Sequence, residues 1–162
     1  MTTIRKPAVA RALLFAGACV LAGAMGVSPA LARADFGVRG SAYTEEEEAF
    51  LGAEALFGIG GGSWYANPNL EHAFIDDGDL NTASFDFHYD FKQGRDYTVW
   101  AGGGPTLIFK DGDAFRDDDD TDAGVNLLVG LGARQGEVRP YGQMKVIVAD
   151  DTQAVLAAGI RF

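Results

Sequence analysis

From Asp35 onward, apolar residues recur at every second position in short runs, and clusters of Gly, Asp, Asn and Glu separate the runs. Period two marks a strand with two unlike faces, and no stretch here joins helical spacing to helix caps. The pattern predicts eight strands, at about 35–44, 49–60, 63–75, 82–92, 96–110, 123–134, 138–149 and 153–162. Each is close to the roughly 9–11 residues that a tilted strand needs to cross a bilayer. One face carries Phe36 and Val38, then Leu51 to Ile59 at alternate positions, then Phe85, Phe87, Tyr89 and Phe91, and later Val125, Leu127, Val129 and Leu131; no charged residue interrupts it. The other face is mixed, with Arg39, Glu54, Asn67, Asn69, Glu71, Asp86, His88, Trp100, Asn126, Tyr141, Gln143, Lys145 and Arg161 among many glycines.

Alternation alone does not say which face points inward. A soluble ligand-binding barrel of the lipocalin type turns its apolar face in, and a membrane barrel turns it out. Two features favour the membrane arrangement. The polar face combines both charge signs with glycine, which suits a narrow, filled lumen. The aromatics Phe57, Trp64, Phe91, Tyr97 and Phe162 fall near one rim of an up-and-down sheet, where an interfacial girdle belongs. Pro68, Pro105 and Pro140 each remove a ladder donor and predict a bulge or a local weakness. Gly102-Gly103-Gly104, inside a strand, predicts close packing at a bend.

The connections sort by charge. Gly58 to Ser63, Lys92 to Asp96 and Arg134 to Glu137 are tight, Gly-containing turns on the rim that holds both ends of the barrel. The opposite rim has Glu45–Glu48, Asp76, Asp77 and Asp79, seven acids between Asp111 and Asp122, and Asp150-Asp151, together sixteen of the 23 acids. These are expected to be the longer, outward loops.

Residues 1–34 differ from the rest. Arg5, Lys6 and Arg11 precede an uncharged apolar run from Ala12 to Val27, and Ala30-Leu31-Ala32 and Ala32-Arg33-Ala34 offer small-x-small cleavage sites. This reads as a secretory signal peptide removed after Ala34, with Ala32 the other site, and leaves 35–162 as one barrel domain. Cys19 is a poor lipidation site, because Ala16 stands where such sites prefer Leu. Cleavage would remove the one cysteine, so no disulfide could form. It would also remove Arg5, Lys6, Arg11 and Arg33 but no acid; the thirteen cations less those four leave nine against 23 acids. So acidic a chain would repel nucleic-acid phosphates.

The last strand runs Ala154, Leu156, Ala158, Ile160, Phe162 on one face. It resembles the C-terminal strand of bacterial outer-membrane β-barrels, in which a terminal Phe after alternating apolar residues is the signal for the barrel assembly machinery; Phe162 and Ile160 would carry that signal here. The whole of 35–162 is similar to the small eight-stranded OmpA-like and OmpX-like group. That resemblance implies a closed, antiparallel, all-β, up-and-down transmembrane barrel in the outer membrane. It would be bathed by lipid and lipopolysaccharide, monomeric and non-enzymatic, with a structural or surface-interaction role. The chain departs from the larger OmpA-like proteins in having no peptidoglycan-binding domain. The competing readings are a narrow porin-like channel, a lipid-modifying barrel enzyme, and a soluble lipocalin-like barrel.

Candidate chemistry is sparse. Arg39 and Glu54 flank the first loop at similar distances, so a hairpin should set them side by side at mid-depth, in a lumen network with Glu71, Asp86, His88, Asp90, Arg134 and Lys145. His88 between Asp86 and Asp90 could be a general base with its orienter, but no serine is suitably placed to serve it, and a hydrogen-bonded lumen cluster is the simpler reading. His72 falls on the apolar face near the outer rim. Asp111, Asp113, Asp117, Asp118, Asp119 and Asp120 suggest weak Ca²⁺ or Mg²⁺ binding, although the EF-hand spacing fails, since the sixth position from Asp118 is Ala123 rather than Gly. No phosphate-binding loop, Cys/His metal cluster or nucleophile motif appears, and no other cofactor is implied.

Overall fold

A computed structural model describes residues 34–43, 49–75, 78–91, 96–112, 121–150 and 152–162. They form eight strands: β1 (Ala34–Tyr43), β2 (Ala49–Ile59), β3 (Trp64–Ile75), β4 (Gly78–Asp90), β5 (Tyr97–Gly112), β6 (Thr121–Ala133), β7 (Arg139–Val148) and β8 (Thr152–Arg161). Consecutive strands pair antiparallel, and β8 returns to pair with β1, so the sheet closes into an up-and-down barrel. The leader expected at 1–34 lies outside the described residues except for Ala34, which opens β1.

Parity is kept throughout. Every ladder holds one register from end to end, for example Ala34↔Phe57 through Ala42↔Ala49 between β1 and β2, and Gly37↔Arg161 through Tyr43↔Val155 across the closing seam. A one-residue slip would exchange the faces, and none occurs. The apolar face is therefore outside all round: Leu51 is 64% exposed, Phe36 60% and Leu127 59%, whereas Glu71 on the inner face is 3% exposed.

The prolines act by interrupting ladders, and the expected bulges are absent. The β2–β3 pairing runs to Glu54↔Asn69 and resumes at Phe57↔Ala66 in the same register, skipping Pro68. The β4–β5 pairing skips from Ser84↔Thr106 to Phe87↔Gly103, past Pro105. Proline has no N–H to donate, but its φ suits a strand, so the ladder loses a rung without changing step.

The two rims differ from expectation in one respect. β4 begins at Gly78 and β5 reaches Gly112, so the connection between β3 and β4 shrinks to residues 76–77. The acidic rim is set apart by charge and not by loop length. On the other rim, Gly60 and Gly61 take φ of 64° and 69° in the turn after β2, a conformation that costs a side-chain-bearing residue and not glycine.

An eight-stranded barrel has an interior just wide enough for side chains to fill, and glycine makes the room. β5 passes so close to its neighbours that a Cβ at Gly102 would strike the Phe87 carbonyl oxygen and His88 Cα, one at Gly103 the Asn126 carbonyl oxygen, and one at Gly104 the Phe85 carbonyl oxygen. Those obstacles are backbone, which cannot swing aside. Gly104→Ala should thus lower stability by more than about 3 kcal/mol, above the usual range for overpacking, or prevent folding. Gly40→Ala, on the outer face with its nearest neighbour at 3.8 Å, should change stability by less than about 0.5 kcal/mol. Equilibrium unfolding in detergent micelles checks both.

Candidate functional site: a sealed ionic lumen

The lumen holds three layers. Beneath the acidic rim, Phe50, Ala73, Leu80, Ile108, Ile147 and Val155 form a buried apolar cluster drawn from six strands. They occupy inner-face positions that the alternation assigns to polar residues. A local sign was present: Phe50-Leu51 and Val146-Ile147-Val148 are apolar at successive positions, so both faces are apolar there.

The middle layer is ionic. Glu71 receives the Lys145 ammonium at 2.8 Å and the Arg39 guanidinium at 3.0 Å, and accepts hydrogen bonds from the hydroxyls of Ser41 (3.1 Å) and Thr82 (3.2 Å). Glu54 receives the Arg161 Nε–H at 2.6 Å and an Asn67 amide N–H at 3.1 Å, with Arg39 Nη1 at 3.7 Å. Asp86 accepts amide N–H groups of Asn69 and Asn126, each at 2.9 Å, and Arg39 also donates to the Asn69 side-chain oxygen. Arg39, Glu54, Asn69, Glu71, Asp86, Asn126 and Lys145 are all buried.

The third layer, toward the turns, is aromatic. Trp100 donates from its indole N–H to the Gln143 side-chain oxygen at 3.2 Å and lies edge-on to Tyr141 at 5.9 Å between centroids. The Arg161 guanidinium covers both rings, 4.3 Å from the Tyr141 centroid and 4.9 Å from that of Trp100. Glycine clears the space again: a side chain at Gly130 would enter the Trp100 indole, and one at Gly159 would meet Tyr141 at 2.7 Å.

The expected network residues are distributed as follows. Arg39 and Glu54 are not directly opposite each other: Arg39 aligns with Gly52 and Glu54 with Gly37. This offset along the ladder leaves each with a shorter contact elsewhere, with Glu71 and Arg161 respectively. Arg134 is exposed at the turn after β6, outside the lumen, because β6 ends at Ala133. Asp90 is half-buried near the turn rim, 3.5 Å from His88 Nε2. His88 itself is buried, with Tyr65 at 5.5 Å and Trp100 at 5.7 Å between ring centroids. Arg161 shares the inner face in the sequence but was not expected in the network; only barrel closure brings it to Glu54. His72 finds the Asn81 side-chain oxygen at 2.8 Å, with Asp79 at 3.9 Å, on the outer face.

The acids expected to hold a cation, Asp113, Asp117, Asp118, Asp119 and Asp120, lie outside the described residues, as does the side chain of Asp111. Among the described residues no group of three or more His, Cys, Asp or Glu could hold a metal ion.

Paired charges this deep are unequal in their sensitivity. Removing one partner strands the other without solvent. Glu71→Ala, which leaves Arg39 and Lys145 facing each other, should cost about 3–5 kcal/mol. Arg139→Ala, which breaks the 2.7 Å pair with Asp35 at the turn rim, should cost no more than about 1 kcal/mol. Urea titration followed by tryptophan fluorescence checks the contrast.

No protein-family model matches the chain, and no curated protein matches it. Solved structures do share its fold. The crystal structure of Neisserial surface protein A superposes with a TM-score of 0.58 at 14% identity, covering 79% of this chain and 92% of that one. Ail, the attachment invasion locus protein of Yersinia pestis, gives 0.51 at 14% identity over 80% of this chain and 96% of its own. Ail in complex with the heparin analogue sucrose octasulfate gives 0.53 at 13% over the same shares. The closed, side-chain-filled, eight-stranded sheet described above is thus the fold of small outer-membrane β-barrels.

Proposed function

We propose that this chain is an integral outer-membrane barrel, delivered by the leader at 1–34 and inserted by the barrel assembly machinery through the strand ending Ile160-Arg161-Phe162. One observation carries the reading: a continuous belt of exposed Leu, Val, Phe and Trp surrounds an interior of buried, paired charges. In water that belt would be an apolar patch far beyond what a monomer tolerates, whereas in a bilayer it is solvated. The same observation disfavours the lipocalin-like alternative, whose interior must be apolar to hold its ligand.

The role is non-enzymatic and the barrel works as a monomer. His88 is packed between aromatic rings beside Asp90, an arrangement that serves structure. The apolar layer under the acidic rim closes the lumen to ions, which disfavours the channel alternative. What remains for interaction is the acidic rim. Ail has been crystallised with a heparin analogue, but sixteen carboxylates would repel such a polyanion, so the partner here is cationic or bridged by divalent ions. Outer-membrane lipid phosphates are the anions nearest to hand, and Ca²⁺ or Mg²⁺ held weakly by Asp111, Asp113, Asp117, Asp118, Asp119 and Asp120 would join the two.

In membrane fractions the protein should migrate differently on a gel before and after boiling, and in planar bilayers it should give no large, steady conductance. Recovery as a folded, soluble periplasmic protein overturns the membrane reading, and steady conductance overturns the sealed lumen. Calorimetric titration of the folded barrel with CaCl₂ should show saturable heat in the millimolar range, lost when Asp117, Asp118, Asp119 and Asp120 become Asn. An absence of saturable heat up to about 10 mM removes the cation bridge.

A further inference from the structure

Among the described residues, six of the eight ladders run without a break, and the two that break flank one hairpin. β3 and β4 pair continuously with each other from Trp64↔Tyr89 to Ile75↔Gly78. β3 loses its pairing with β2 at Asn67 and Pro68, between Phe57↔Ala66 and Glu54↔Asn69. β4 loses its pairing with β5 at Phe85 and Asp86, between Ser84↔Thr106 and Phe87↔Gly103. The two breaks lie opposite each other, because Asn67 aligns with Asp86 and Pro68 with Phe85. Each break has its proline, Pro68 in β3 and Pro105 in β5, and neither can donate a rung. At this one level of the wall the hairpin is a two-stranded ribbon with no backbone ladder to either neighbour, and two strands alone are marginally stable at best.

Side chains in the lumen bridge both breaks. On the β2 side, Asn67 donates from its amide to Glu54 at 3.1 Å. On the β5 side, Asn126 reaches past Gly104, with which it aligns, and donates to Asp86 at 2.9 Å. Within the hairpin, Asn69 donates to the Asn67 backbone carbonyl oxygen at 3.0 Å and to Asp86 at 2.9 Å. Asn67, Asn69, Asp86 and Asn126 are each at most 3% exposed. β4 and β5 stay in contact at the second break, where a Cβ at Gly104 would strike the Phe85 carbonyl oxygen. Rungs are missing there, and not a piece of wall.

We propose that the β3–β4 hairpin is a panel of the barrel wall that opens as a unit ahead of the rest, latched by Asn67 on Glu54 and by Asn126 on Asp86. Its opening is the route by which the ionic layer meets solvent. Proteins open locally in contiguous units, and a unit with few backbone bonds at its borders opens at low cost. The closing seam between β1 and β8 does not qualify. Its ladder runs unbroken from Gly37↔Arg161 to Tyr43↔Val155, and Arg161 bonds across β1 to Glu54. The panel follows from the strand pairing alone and does not depend on the membrane reading.

Native-state hydrogen exchange of the full barrel, resolved by residue in detergent micelles with low urea, tests the panel. Amides of β3 and β4 that bond within the hairpin should exchange together, at least about tenfold faster than those of β7 and β8, a gap no larger than one hydrogen bond to a charged group supplies. Asn126→Ala removes such a bond and should speed exchange in the hairpin by about a further tenfold, leaving β7 and β8 unchanged. Pro105→Val restores a donor on the outer face and should slow exchange in the hairpin; it carries the test if Asn126→Ala fails to fold. Uniform exchange over all eight strands overturns the panel, and so does a β1–β8 seam that exchanges first. An Asn126→Ala effect spread equally over every strand overturns the latch and with it the proposal. Exchange in the hairpin that Pro105→Val leaves unchanged shows that the missing rungs do not set the opening, and overturns it as well.

Discussion

The carboxylate of Glu71 is shut off from solvent, and such a charge is tolerated in a folded chain only when cations and hydrogen-bond donors reach it. Lys145, Arg39, Ser41 and Thr82 do so from β7, β1 and β4. Their convergence requires the sheet to be closed, since β7 and β1 approach β3 only through the interior. The ionic layer and barrel closure are thus one constraint seen from two sides. If the sheet opens, the buried ionised side chains lose their partners together; if the charges are unbalanced, the closed form loses its reason to be closed.

That constraint explains where glycine is placed. Arg39, Lys145 and Arg161, the carboxylates of Glu54, Glu71 and Asp86, and the Trp100 indole fill a lumen that eight strands make only side-chain wide. Residues facing them must be small: Gly52 beside Arg39 and Glu71, Gly37 beside Glu54, Gly130 beneath Trp100 and Gly159 beneath Tyr141. In β5 the compression reaches the backbone, where successive glycines let the strand press against β4 and β6. Glycines thus stand where the large inward side chains need room.

The layering gives the two mouths different character. Toward the acidic rim, the Phe50–Ile147 cluster seals the ionic layer from the side where the loops carry most of the chain's carboxylates. Toward the turns, Trp100, Tyr141 and Arg161 close the interior by ring and cation contact. On this side the β6–β7 ladder also ends early, at Pro140. The apolar exterior and the charged interior each follow from a residue choice on a known face of a strand.

Much of this was legible in the sequence. Period-two alternation carried the number of strands, their faces and their order, because a strand's side-chain parity is a local property that neighbouring residues encode directly. The mixed charge and glycine of one face, set against the uncharged other, pointed to an inside-out barrel. What alternation cannot encode is stagger. Which cation meets which carboxylate depends on the register between strands distant in sequence. The sequence suggests Arg39 with Glu54 from one hairpin, and that pair is present at 3.7 Å, but the closed sheet adds the shorter contacts, Arg161 to Glu54 across 107 residues and Lys145 to Glu71 across 74. The apolar cap has the same origin: Phe50, Leu80, Ile108, Ile147 and Val155 look like isolated exceptions on their strands and become a cluster only when the circle closes at that depth. Local parity was the chain's own; depth, partner and seal were decided by closure, because the stagger of a barrel is a property of all eight strands together.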